Sequence, residues 1–155
     1  MKNTKRNFFK LLGLSFLSIV LLPYKSLYSV TKKIINQNLT KEQKDIMFNE
    51  ATERPNSSYL NYEKRKGFFH CANCDAKLFA STSKFDSGTG WPSFTESLPG
   101  AFKTKIDYSF GIKRTEYHCA KCGVHHGHVF DDGPGSSGKR FCNNGLCLIF
   151  KPDSN

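Results

Sequence analysis

The chain has 155 residues, 14 of them phenylalanine, and a formal net charge of +10. This length allows one domain with a substantial core and leaves little for a second. A strongly basic chain suggests a nucleic-acid partner, but residues 1–30 hold five basic residues and no acid, which leaves 18 basic against 13 acidic residues in the remainder. Half of the excess positive charge therefore lies in the N-terminal segment, and we expect no nucleic-acid partner.

Residues 1–30 have the form of a secretory signal peptide, with a positive start, an apolar run from Leu11 to Leu22 and a break at Pro23. The tract TKRNFFK is similar to a twin-arginine export signal, with Lys5 at the first of the two arginine positions. The cleavage site is poor, so a signal anchor is the alternative. We expect export to the bacterial periplasm, or tethering to the membrane facing it through this signal alone.

A short helix is predicted after a polar linker at residues 31–38. Thr40 is placed as the N-cap, and Gln43 three residues later completes a capping box. Arg54-Pro55 is expected to end the helix, because the residue before a proline disfavours helical backbone.

From Leu78 onward, short apolar clusters rich in Phe and Tyr alternate with turns, which is typical of antiparallel strands. Gly88, Gly90 and Pro92 surround Trp91, the single tryptophan, in a constrained loop. The indole could form one wall of a pocket, or it could be a core tryptophan.

Two Cys-x-x-Cys pairs, Cys71 with Cys74 and Cys119 with Cys122, are separated by 44 residues. Two residues between cysteines let both sulfur atoms of a tight turn face one ion, and two such turns supply the four thiolates of a tetrahedral zinc site. The alternatives are two disulfides, as in an exported protein, or a redox-active pair.

A cluster of reactive residue types follows the second pair. Cys142 is a candidate nucleophile, and its thiol needs a cationic neighbour to ionise at neutral pH. Arg140 lies two residues away, on the same face if this segment is a strand. His125 and His128 are candidate general acids, since imidazole titrates near physiological pH. Which of the two donates a proton stays open.

Four motifs in order, CANC, KFDSGTGWPSF, CAKCGVHHGHVFDDGP and KRFCNN, resemble the methionine-R-sulfoxide reductases, the B-type enzymes of protein repair. The resemblance covers residues 39–152. It implies a mainly β fold of two antiparallel β-sheets with a short N-terminal helical region. It implies a structural zinc ion held by Cys71, Cys74, Cys119 and Cys122. It also implies a catalytic cysteine, Cys142, in a pocket lined by Trp91, His125, His128, Arg140 and Asn144.

The resemblance further implies reduction of the R-epimer of methionine sulfoxide in proteins or peptides. Cys142 would attack the sulfoxide sulfur and become a sulfenic acid, which a thioredoxin-like or other thiol reductant would reduce. Trp91 would hold the substrate methyl group, and Asn144 would bond a histidine or the substrate. His126 stands where the family usually has leucine and is given no role. We expect a monomer.

The route by which Cys142 is recycled departs from a common family pattern, because Thr89 occupies the usual position of a resolving cysteine. Cys147 is then the internal candidate. If residues 139–150 form one continuous strand, as the resemblance implies and as we expect, Cys142 and Cys147 lie on opposite faces about 16 Å apart, too far for a disulfide. If Asn144-Gly145 forms a hairpin turn instead, the two cysteines face each other.

Two non-catalytic interpretations remain. One is an exported zinc-knuckle binding module, and the other is an exported disulfide-bonded domain. A nucleic-acid module would need a concentrated basic stripe, whereas the basic residues after position 30 are scattered among acids such as Asp107, Glu116, Asp131 and Asp132.

Overall fold

The computed structural model describes residues 31–154, which contain one α-helix, α1 (Lys41–Asn49), and nine β-strands. The strands are β1 (Gly67–Cys71), β2 (Lys77–Ala80), β3 (Lys84–Phe85), β4 (Ser93–Phe94), β5 (Phe102–Asp107), β6 (Arg114–Cys119), β7 (His125–Phe130), β8 (Arg140–Asn143) and β9 (Leu148–Pro152). They form two antiparallel sheets, ordered β2-β1-β9 and β3-β4-β8-β7-β6-β5. The predicted mainly β fold of two antiparallel sheets is confirmed.

An aromatic core joins the two sheets. Phe69 on β1 and Phe79 on β2 point from the small sheet towards Phe94 on β4 of the large sheet, and all three are fully buried. The rings of Phe79 and Phe94 stack with centroids 3.9 Å apart, and Phe69 meets Phe94 edge to face at 4.9 Å. Such aromatic pairs stabilise a fold by more than the burial of their apolar area alone. The abundance of phenylalanine in the sequence is thus explained by the contact between the sheets.

Helix α1 begins as predicted and ends earlier. The Thr40 hydroxyl accepts the Gln43 N–H, and the Gln43 side chain accepts the Thr40 N–H, so the capping box is confirmed. The predicted end at Arg54-Pro55 is wrong. The helix ends at Asn49. Glu50 is its C-cap residue, which adopts a left-handed conformation with φ 61° and donates its N–H to the carbonyl of Asp45.

The segment after β8 takes a path that the sequence did not predict. β8 ends at Asn143 in the large sheet, a single 3-10 turn spans Gly145–Cys147, and β9 pairs with β1 in the small sheet. The continuous strand over residues 139–150 is therefore wrong, and so is the Asn144-Gly145 hairpin. The chain crosses from one sheet to the other here, and Ser58 packs where a Cβ on Gly145 would lie, 2.0 Å from its hydroxyl oxygen.

Residues 31–38 lie against the turn that follows β1. The Asn73 side chain accepts the N–H of Ile35 at 2.9 Å and donates to the carbonyl of Lys33 at 2.8 Å. Across residues 31–154 there is no helix long and apolar enough to cross a membrane. The predicted export signal, residues 1–30, lies outside the described residues.

Candidate active site and metal centre

The four paired cysteines form one buried cluster. Their sulfur atoms all lie within 4.8 Å of one another. Cys71 Sγ is 3.8 Å from Cys122 Sγ, and Cys74 Sγ is 3.6 Å from Cys119 Sγ. Zinc–sulfur bonds of about 2.3 Å place the sulfur atoms of a tetrahedral site about 3.8 Å apart. The spacing fits one four-coordinate ion and does not fit two disulfides, and all four thiols are free.

The two cysteine turns have the same backbone form. The N–H of Asp75 donates to Cys71 O at 2.9 Å, and the N–H of Gly123 donates to Cys119 O at 2.8 Å. Asp75 and Gly123 both have positive φ, 59° and 74°. The first turn leaves β1 of the small sheet, and the second connects β6 to β7 of the large sheet. The cluster therefore ties the two sheets together.

Cys142, one residue before the end of β8, lies in a cavity of about 120 Å³. In the strand register Cys142 is directly opposite His128. Gly127 lets the strands approach, because a Cβ there would lie 2.0 Å from Cys142 O. The cavity is lined by Thr52, Trp91, Arg114, Gly127, His128, Phe130, Cys142, Asn143 and Asn144.

Trp91 is partly exposed and forms one wall of this cavity, as the pocket interpretation requires. Its indole Nε1 donates to the carbonyl of Glu53 at 2.9 Å. Gly88 and Gly90, with φ of 69° and 93°, provide the turns that bring the ring to the surface of the large sheet.

The Asn144 amide has a fixed orientation. Its Oδ1 accepts the N–H of Glu53 at 2.9 Å, and its Nδ2 donates to His126 O at 3.0 Å. The same Nδ2 lies 3.4 Å from Nε2 of His125. Because the amide nitrogen faces His125, Nε2 of that ring is the hydrogen-bond acceptor.

His125 is buried and does not line this cavity, but it lines an adjoining cavity of about 260 Å³ together with His128 and Glu116. Its Nδ1 is 3.0 Å from Oε1 of buried Glu116, a close contact rather than a well-aligned hydrogen bond. The other carboxylate oxygen of Glu116 is 3.1 Å from Lys105 Nζ. Burial favours the neutral carboxyl, but His125 and Lys105 outweigh it and lower the pKa of Glu116.

His128 lines the cavity itself, with its Nε2 2.9 Å from Oδ2 of Asp107. Arg114 also bonds that oxygen, at 2.6 Å. Hydrogen bonds from Ser109, supported by those from His128 and Arg114, hold the pKa of Asp107 well below its usual range. Burial lowers the pKa of His128, and the hydrogen bond that its Nε2 donates to Asp107 offsets this only in part. His128 is therefore largely neutral at pH 7.

Arg140 is buried beside Cys142. Its guanidinium makes a two-pronged ion pair with Asp132, at 2.8 and 2.9 Å, and lies over the ring of Phe130 at 4.4 Å. Burial raises the pKa of the Cys142 thiol, and the opposing effects of Arg140 and the Thr89 hydroxyl do not cancel it. Arg140 by itself thus does not hold Cys142 as a thiolate in the free chain.

Two further residues bear on the site. Cys147 is fully buried, and burial raises the pKa of its thiol well above the ordinary value. His126 is also fully buried, and burial lowers the pKa of its ring to about 3. His126 packs edge to face on Phe102 at 5.4 Å and is neutral, so it fills apolar space.

The structure thus brings Cys142, His128, Trp91 and Asn144 to one cavity, while His125 lines the adjoining cavity with His128, and Arg140 lies two residues from Cys142 on β8. Sequence reasoning missed the acids that hold these residues. Asp107, Glu116 and Asp132 were counted only as scattered charges, and Glu53 was not considered. The one available signal was that Asp107 and Arg114 flank a short segment containing Ser109 and Gly111, as cross-strand partners in a hairpin do.

Comparison with known proteins gives consistent matches. The SelR domain family matches residues 39–152. A protein of Methanosarcina barkeri named peptide methionine sulfoxide reductase MsrB is 47% identical over 116 residues, covering 74% of this chain and 82% of the relative. Proteins of the same name from Pseudomonas entomophila and Agrobacterium fabrum are 52% identical over 103 residues and 46% identical over 117 residues. The match to the Pseudomonas entomophila protein covers 66% of this chain and 79% of that protein. The match to the Agrobacterium fabrum protein covers 75% of this chain and 87% of that protein.

Proposed function

The chain belongs to the SelR domain family, and from that membership we propose that it is a peptide-methionine (R)-S-oxide reductase. The enzyme reduces the R-epimer of methionine sulfoxide in proteins and peptides back to methionine. The observation that supports this most directly is the placement of a thiol, Cys142, opposite an imidazole, His128, in a cavity walled by Trp91. A zinc-knuckle module without catalysis is not favoured, since the relatives are named as reductases.

The reaction begins with Cys142 as a thiol and His128 as a neutral base, which is the state that their shifted pKa values favour. His128 takes the thiol proton as the sulfur attacks the sulfoxide sulfur. His128 then gives that proton to the departing sulfoxide oxygen. The attack forms an S–S bond, and the S–O bond breaks to release the protonated oxygen as hydroxide. Hydroxide then adds to the Cys142 sulfur as the S–S bond breaks, which releases methionine and leaves Cys142 as a sulfenic acid, so the cysteine loses the two electrons that methionine gains. No outside proton is consumed.

His128 is better placed than His125 to carry this proton. It lines the cavity that holds Cys142, whereas His125 lines the adjoining cavity, which His128 also lines. Nε2 of His125 accepts from the Asn144 amide, which leaves no Nε2 proton to donate towards the cavity. We assign His125 to the orientation of Asn144, and Asn144 to contact with the substrate.

Trp91 and Arg140 have different roles. The indole face of Trp91 is the apolar surface for the substrate methyl group, and its position relative to Asn144 sets which epimer fits. The charge of Arg140 lowers the free energy of the Cys142 thiolate as the thiol proton leaves. Its ion pair with Asp132 keeps the guanidinium fixed beside the sulfur.

Cys71, Cys74, Cys119 and Cys122 would hold a zinc ion as four thiolates. A closed site of this kind leaves no position for substrate, so zinc would supply stability rather than chemistry. The buried cluster at the junction of β1 with β6 and β7 suits that role.

Regeneration of Cys142 requires an external thiol. Position 89 is threonine, and Cys147 is a buried thiol whose pKa is raised. A thiol such as that of a thioredoxin-like protein attacks the sulfenic acid and releases water, forming a mixed disulfide on Cys142. A second thiol then attacks the reductant sulfur and frees Cys142.

We further propose that the protein is exported through residues 1–30 to the periplasm and acts there as a monomer. This rests on the basic start and short apolar run of the segment. If the signal is not cleaved, it is the single point of membrane contact. Cell fractionation of the full chain, with the mature N-terminus sequenced, tests this proposal.

The test of function is turnover of separated R- and S-epimers of a peptidyl methionine sulfoxide, with thioredoxin or dithiothreitol as reductant. The R-epimer should be reduced and the S-epimer left unchanged, because the cavity fixes both the methyl group and the oxygen. Turnover of neither epimer would overturn the proposal.

A further inference from the structure

Glu53 connects two residues of the site that are far apart in sequence. It lies in the extended stretch after α1 and is 3% exposed. Its backbone N–H donates to Asn144 Oδ1 at 2.9 Å, and its carbonyl accepts the indole N–H of Trp91 at 2.9 Å. Both sides of the substrate cavity are therefore attached to one residue.

The side chain of Glu53 holds the turn that follows Asn144. Its Oε2 accepts the backbone N–H of Leu146 at 3.1 Å, and its Oε1 accepts the Ser57 hydroxyl at 3.1 Å. A Cβ on Gly145 would lie 3.3 Å from Oε2, so the carboxylate is packed closely against this turn. The turn cannot shift without moving either Glu53 or Asn144.

Both partners are neutral: the Leu146 N–H donates to Oε2, and the Ser57 hydroxyl shares its single proton between Oε1 and the carbonyl of Arg54, 2.7 Å away. Burial of a carboxylate costs free energy because the group loses its hydration. Hydrogen bonds from an amide and a hydroxyl offset this cost when the donors are correctly placed. A side chain of the same length with one acceptor oxygen could make the bond to Leu146 equally well, whereas a shorter acid could not reach it. The length of the Glu53 side chain, rather than its charge, therefore determines whether the bond to Leu146 can form.

We propose that Glu53 is a positioning residue that fixes the separation of Trp91 and Asn144, and thereby the width of the cavity that receives the sulfoxide. Its kinetic consequence rests on the proposed reductase function. Its structural consequence does not, because Trp91 is the single tryptophan of the chain and its fluorescence reports its own surroundings.

The experiment compares Glu53→Gln with Glu53→Asp. The first keeps side-chain length and removes charge, while the second keeps charge and shortens the side chain. Ser57→Ala is the matched control, since it removes the partner of Oε1 and leaves the bond to Leu146. KM and kcat for the R-sulfoxide, Trp91 emission and its quenching by acrylamide are measured, with zinc content and circular dichroism as checks of folding.

Glu53→Asp should raise KM about tenfold, the effect of leaving one buried donor unsatisfied, with a smaller change in kcat. Its Trp91 emission should shift to the red and be quenched more readily. Glu53→Gln and Ser57→Ala should stay within about threefold of the wild-type KM, with unchanged Trp91 emission, because neither should break the bond to Leu146. The proposal is overturned if Glu53→Asp keeps the wild-type KM and emission, or if Glu53→Gln is impaired while Glu53→Asp is not. If the wild-type protein has no turnover, the proposed function fails, and the emission comparison still decides the role of Glu53.

Discussion

His128 on β7 lies directly across from Cys142 on β8, as partners in an antiparallel pair. Side chains of such partners project from the same face of the sheet, so both reach one cavity. A slip of one residue in this register would put the thiol and the imidazole on opposite faces. Gly127 permits this register, because any side chain there would collide with the carbonyl of Cys142. The chemistry therefore depends on the pairing of two strands.

Replacement of the nucleophile should remove activity and leave the scaffold intact. We expect Cys142→Ser to lose more than about a thousandfold in kcat/KM for the R-sulfoxide, as when other catalytic nucleophiles are removed. Zinc content and melting temperature should not change, because Cys142 lies outside the metal cluster. Retained turnover would contradict the assigned role.

In the pH profile of kcat/KM, the acid and alkaline limbs should lie further apart than the ordinary pKa values of histidine and cysteine, 6.5 and 9.0. The acid limb marks deprotonation of His128, whose pKa is lowered from 6.5, and the alkaline limb marks loss of the Cys142 proton, whose pKa is raised from 9.0. Protonated His128 cannot accept the thiol proton, so activity falls below the first limb. A bell whose two limbs lie at the unshifted values, or closer together, would argue against this pair.

Asp107→Asn provides a directed test of the same assignment. The Asp107 carboxylate raises the pKa of His128 against the effect of burial. Removing its charge should lower that pKa further and move the acid limb to lower pH. Asp131→Asn is the control, since Asp131 is exposed and paired with Lys139. If the limb stayed in place or moved to higher pH, a group other than His128 would have to account for it.

Loss of the metal should destabilise the fold. Cys74→Ser or Cys119→Ser should lower zinc content and the melting temperature together, because structural zinc contributes about 10 kcal/mol or more of apparent folding free energy. We expect a fall of more than about 10 °C. His70→Ala is the control, since His70 bonds Asp75 O in the same turn without belonging to the cluster. A Cys74 variant that lost zinc yet kept full stability and activity would rule out the structural role.

Recycling should not involve Cys147. Protein treated with methionine sulfoxide in the absence of reductant should yield peptides with Cys142 oxidised and Cys147 free. Cys147→Ser should keep thioredoxin-supported turnover, apart from any loss of stability from placing a hydroxyl at a buried position. An abundant Cys142–Cys147 disulfide, with turnover lost in the variant, would require an internal resolving route.

The sequence alone determined the features that depend on short-range spacing. The capping box at Thr40 needs only residues three apart. The two Cys-x-x-Cys turns, each closed by a residue of positive φ, could be identified from their own residues. The mainly β fold followed from short apolar runs between turns. These features involve few residues, so no distant contact could reverse them.

The tertiary structure decided the rest, because the decisive contacts join residues far apart in sequence. The path after Asn143 follows from β9 pairing with β1, which outweighs the local turn signal of Asn144-Gly145. Our proposal that His128 rather than His125 carries the proton rests on strand register and on an amide fixed by Glu53. The raised pKa of Cys142 comes from burial by side chains gathered from several strands. Register and burial arise only when the sheets pack, and neither is carried by the spacing of the residues themselves.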